Sequence, residues 1–97
     1  MPIQIPSGQK TTSFLFKAES CLLGGILVLT DGTNAATVTV YDDNQERTTG
    51  KKVWQNTDAG TSYYGGGFFV APILCRNGAY VVISGTGASC IVYEWVL

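Results

Sequence analysis

The chain has 97 residues, 45% of them apolar and only 13% charged, with six basic and seven acidic side chains and a net charge of −1. That length suits one domain over residues 1–97 with a single core, folding to roughly 5,400 Å² of accessible surface. The near-neutral balance speaks against neutralising the phosphates of nucleic acid and against electrostatic attachment to a lipid surface. The absence of histidine removes Ser-His-Asp and Cys-His chemistry.

Residues 1–9 read as an extended N-terminal arm with no signal-peptide pattern. Pro2 and Pro6 keep it out of a central strand. Ile3 and Ile5 share one side of it. Such an arm lies along its own sheet edge, is added to a neighbour's, or frays. From Thr12 to Ala18, Phe14 and Phe16 alternate with Leu15 and Lys17, the period of a half-buried strand. Cys21 to Leu29 is a more buried strand, with Gly24-Gly25 as a bulge or bend.

Two stretches then repeat one pattern. Ile26 to Leu29, a turn from Thr30 to Ala36, and Thr37 to Tyr41 form the first. Tyr80 to Ile83, a turn from Ser84 to Ala88, and Ser89 to Tyr93 form the second. Strand, turn and strand predict a β-hairpin in each case. Between them, Asp42 to Gly50 is a polar surface loop, and Lys51 to Gln55 is a short strand carrying Val53 and Trp54. Asn56 to Gly67 is irregular. Phe68-Phe69-Val70 is limited by Pro72 to an edge or a short element. Asn77-Gly78, between Ile73-Leu74-Cys75 and Ala79 to Ile83, is a further hairpin signal.

The last strand, Ala88 to Val96, puts Ile91, Tyr93 and Trp95 on one side and Cys90 and Val92 on the other. Its apolar end, Trp95-Val96-Leu97, is expected to be tied down, with another subunit as one place for it. No window of ten residues keeps helical spacing. The expected fold is an all-β, single-domain antiparallel β-sandwich, jelly-roll-like, with about seven or eight short strands.

No catalytic, cofactor-binding or metal-binding residue is assigned, and the chain reads as no enzyme. Three cysteines, an odd number, suggest reduced thiols in a cytosolic setting. Cys21, Cys75 and Cys90 each have aliphatic neighbours and act as small hydrophobes. Cys75 is next to Arg76, but adjacent strand residues face opposite ways. Asp31-Gly32-Thr33-Asn34 and Asp42-Asp43-Asn44 carry calcium-type oxygens, yet these residues are also what turns require. The carboxylates Glu19, Asp31, Asp42, Asp43, Asp58 and Glu94 lack the cleft that glycoside hydrolysis needs. Gly85-Thr86-Gly87-Ala88 leads into a strand and not into the helix of a dinucleotide site.

Contact residues remain. Trp54, Tyr63, Tyr64, Phe68 and Phe69 lie in or beside the irregular segment, where they pack into the core, anchor a protein interface or stack on a sugar. With Ile3, Ile5, Trp95 and Leu97 they form the candidate interface set. The sparse charge, about one per 400 Å², fits a surface partly covered by other protein.

Ala36-Thr37-Val38-Thr39-Val40-Tyr41-Asp42, the polar loop, Lys52-Val53-Trp54, the Gly/Phe stretch with Pro72, and Asn77 through Ser89 together carry a resemblance. Over roughly Leu22 to Trp95 the chain resembles small all-β structural proteins of tailed bacteriophages. The resemblance implies a virion component made in the host bacterial cytoplasm. A capsid cement (decoration) protein on the capsid surface comes first, and a tail or neck adaptor second. It also implies self-association, as a homotrimer, and contact with the major capsid protein or another virion protein. A small carbohydrate-binding module using Trp54 with Tyr63 or Tyr64 is the alternative from another class.

Overall fold

In the computed structural model, which describes residues 3–96, eight strands follow one another. They are β1 (Ile3–Pro6), β2 (Phe14–Lys17), β3 (Cys21–Leu29), β4 (Ala36–Asp42), β5 (Lys51–Asp58), β6 (Tyr64–Cys75), β7 (Ala79–Ser84) and β8 (Ser89–Val96). The chain is folded about its middle. β4 pairs β5 across the polar loop, and moving outward β3 pairs β6, β2 pairs β7 and β1 pairs β8, all antiparallel. Alternate pairs fall in opposite sheets, giving orders β1-β8-β3-β6 and β2-β7-β4-β5. This rolled antiparallel ribbon is a jelly-roll sandwich, 18 Å through its thinnest Cα dimension.

The predicted hairpins are corrected by this order. β3 and β4 lie in different sheets, as do β7 and β8, and β6 and β7 around Asn77-Gly78. Each run–turn–run unit is an arch that crosses from one sheet to the other. The two similar arches pair with each other: Ile26 opposes Val92 and Val28 opposes Cys90 in one sheet, while Val38 opposes Ile83 and Val40 opposes Val81 in the other. Their turns are in close contact, since a Cβ on Gly85 would lie 2.3 Å from the Ala35 carbonyl oxygen. Of the seven connections, β4–β5 alone is a hairpin.

Strand alternation supplies the core. Leu23, Ile26, Val28, Val38, Val40, Val81, Cys90 and Val92 are all fully buried between the sheets, with Phe14, Phe16, Ile73 and Ile83 packed around them. Gly24-Gly25 is a bulge, as expected: the register slips between Leu23 and Gly25 against both neighbours. Opposite it, β6 passes from Phe68 to Ile73 with Phe69 to Pro72 looped out of the pairing. Pro72, which has no N–H to give a ladder, therefore sits in an excursion of an edge strand.

Most of the segment expected to be irregular is strand, because β5 runs on to Asp58 and β6 begins at Tyr64. β8 is held on both sides, by β3 and by β1, with Val96 opposite Ile3. The expectations for Pro2 and Leu97 fall outside the described residues.

Candidate contact surface

Directly opposed residues in a sheet share a face, so the registers sort the paired side chains of β1-β8-β3-β6. The inner set is Cys21, Leu23, Ile26 and Val28 with their partners. The outer set comprises Leu22, Leu27 and Leu29 of β3, Tyr64, Phe68 and Leu74 of β6, and Ile91, Tyr93 and Trp95 of β8, with Gln4 of β1 and Ser89 of β8 as uncharged polar members. An antiparallel sheet with one solvated face normally alternates apolar and polar side chains. This one is apolar on both faces.

Gly25 holds the centre of that outer face. Without a side chain there, Phe68 and Tyr93 meet across β3 at a centroid distance of 4.8 Å. A Cβ on Gly25 would lie 2.8 Å from the Phe68 ring. Beside it the Gln4 amide lies over Gly24, donating from Nε2 to the Gly24 carbonyl at 3.3 Å. Of the thirteen charged side chains, Glu94 is the sole member on the four strands of this sheet among the described residues. It points inward, to Lys17 of β2 at 3.1 Å.

The opposite sheet presents a different exterior. Thr37 opposes Thr57 and Ser84, Thr39 opposes Gln55 and Val82, and Tyr41 opposes Lys52 and Tyr80. The Thr37 and Thr57 hydroxyls are 2.8 Å apart. The molecule thus has one hydroxyl-rich face and one apolar face, and apart from inward-facing Glu94 the charges of the described residues sit on loops and on the second sheet.

The acidic turns are occupied by their own backbone. Asp31 Oδ1 accepts from the N–H groups of Thr33 and Asn34, and Oδ2 accepts from the Asn34 amide. These bonds, the Asn34 N–H foremost, hold the Asp31 carboxyl below its ordinary pKa. Asp42 Oδ1 accepts from the Asn77 N–H at 2.8 Å, tying the β4–β5 loop to the β6–β7 corner. Asp43, covered by its loop, accepts from Arg47 Nε at 2.7 Å and from the Gln45 N–H at 3.0 Å. The Arg47 guanidinium, first among the causes, holds the Asp43 carboxyl below the usual range.

A depressed carboxyl stabilises the fold above its unfolded pKa, and that contribution is lost as pH falls through the folded value. Arg47→Met is therefore expected to raise the Asp43 titration midpoint, followed by the carboxyl carbon shift in NMR. The β4–β5 loop of the variant should loosen at a higher pH than in the wild type.

All three thiols are buried and unbridged. Burial pushes the Cys90 thiol up to about 12. Cys21 and Cys75 face each other across β3 and β6, and the hydrogen bond to Cys21, then burial, holds the Cys75 thiol up. Cys75 and Cys90, held as neutral thiols, pack as small apolar groups.

On the β1–β2 side, Ile5, Phe14 and Phe16 line a cleft of about 260 Å³. Lys10 and Lys17 each lie 5.6 Å from the centroid of a phenylalanine ring there, Phe14 and Phe16 respectively.

The interface candidates divide. Phe68 (60% exposed) and Tyr64 (71%) belong to the apolar face, together with half-buried Trp95. Tyr63 is equally exposed but lies against Gly32 in the β3–β4 turn. Ile3 and Ile5 are exposed on β1, on the side away from Gln4 and Trp95. Trp54 and Phe69 pack on the core and on each other at 6.1 Å, away from that face. Leu97 is outside the described residues.

Leu22, Leu27, Leu29, Leu74, Ile91 and Tyr93 were missed. The signal was the run from Cys21 to Leu29, which has no polar residue in nine positions and so offers no solvent face. Comparison with known proteins finds no matching family model, no matching curated protein and no matching solved structure.

Proposed function

We propose that this chain is a non-enzymatic structural protein of a tailed-phage virion, a capsid cement protein that associates with itself and clamps neighbouring capsid subunits. The observation that carries the reading is the uncharged apolar exterior of β1-β8-β3-β6, a surface made for contact with protein. The resemblance of Leu22 to Trp95 to small all-β phage proteins supplies the setting and the expectation of a trimer. Cement copies repeat over a shell, so modest contacts add up through multivalency. Inward-facing Trp54, packed on Phe69, gives a sugar platform less support.

Immunogold labelling tests the address. Antibody raised against the purified chain is applied to particles of the phage that encodes it. Label over the whole head is the expected result. Label at one vertex or along the tail makes the chain an adaptor, and particles that carry none of it end the virion reading.

A further inference from the structure

We infer that the apolar face of β1-β8-β3-β6 is where copies of this chain meet one another, sheet against sheet. The inference rests on the functional reading above and names the surface used for self-association. The occupant follows from three properties of the face. It carries no charged side chain among the described residues, so identical faces meet without repulsion, and no charge pattern selects a different partner.

Its size also suits a copy. At ~4.8 Å strand spacing and ~3.3 Å rise, nine residues of β3, eight each of β8 and of the paired part of β6, and four of β1 project to about 450 Å². With the relief of Phe68, Tyr93 and Leu27, this approaches the ~800 Å² per partner that stable complexes bury. Its shape is that of a sheet surface, and sheets pack on sheets at about 10 Å with side chains interdigitating. Two copies stack face to face, or three close around an axis. Both arrangements draw on this face, and both leave the hydroxyl-rich sheet outward.

Sedimentation velocity over a concentration series is the test, on wild type and three variants. Leu27→Asp places a charge on the face two residues from its central Gly25, and Phe68→Asp places one at a position already 60% exposed, where folding is less at risk. Gln55→Asp adds the same charge to the opposite sheet. Circular dichroism melts establish that each variant is folded. The expected result is a wild type at a multiple of the 10.3 kDa chain mass, unchanged in Gln55→Asp and reduced to the monomer mass in Phe68→Asp and Leu27→Asp. If Leu27→Asp fails to fold, Phe68→Asp decides.

A wild type that stays at 10.3 kDa overturns the inference, as does an oligomer that survives Phe68→Asp. A monomer that still labels phage heads would leave the virion reading standing and remove this one.

Discussion

Leu23→Ala lowers the melting temperature by about 15 °C, while Leu22→Ala, the same chemical change one residue away, shifts it by a few degrees. Leu23 is fully buried between the sheets, where truncation removes transfer free energy and leaves a cavity, about 3 kcal/mol together. The site collapses poorly, because the strand is pinned immediately after it by the Gly24-Gly25 bulge, with Phe68 over Gly25. Against a total stability of about 5–15 kcal/mol, that loss moves the midpoint of a domain this size by roughly 4–8 °C per kcal/mol. Leu22 faces outward opposite Leu74, so its truncation opens no cavity. Thermal melts of both variants check the assignment of faces. Equal losses would mean that the register across β3 is wrong.

Gly85→Ala costs about 3 kcal/mol or more, and Gly8→Ala about 1 kcal/mol. Both glycines have positive φ, 116° and 81°, so each alanine is strained in its backbone. A Cβ at Gly8 meets nothing within 4 Å, whereas one at Gly85 lies 2.3 Å from the Ala35 carbonyl oxygen. The excess at Gly85 measures how firmly the turn of one arch seats against the other. Urea denaturation reads it as a lowered midpoint at constant slope. A Gly85→Ala variant no weaker than Gly8→Ala would separate the arches.

The strands, the bulge and the edge character of Pro72 were legible because each is a local property. Alternation from Ala88 to Val96 put Cys90 and Val92 on one side, which the structure buries, and paired glycines marked the slip in β3. The hairpins were misread for an equally physical reason. A run, a turn and a second run with inward alternation fit a strand that folds back beside its neighbour. They fit equally well a strand that crosses to the facing sheet. What decides is pairing between residues far apart in sequence, such as Val40 with Val81.

Asn77-Gly78 had the composition of a tight turn, but Gly78 serves a corner, at φ 156°, packed against the carbonyls of Lys17 and Asp43. The contact surface was visible in pieces. Aromatic residues advertised Phe68, Tyr64 and Trp95, while Leu27 and Ile91 became outer-face neighbours only once β3 and β8 were laid side by side.

The order of pairing also governs how the molecule comes to exist. Once the central β4–β5 hairpin has formed, every further pair closes a wider loop, and the last joins residue 3 to residue 96. Non-local closure of this kind is slow. During synthesis, β1 and β3 emerge early but wait for residues 89–96 before either gains β8 as a neighbour. The outer face of that sheet is therefore incomplete on a nascent chain, so a ribosome carrying a partial copy does not present the full surface to its neighbours.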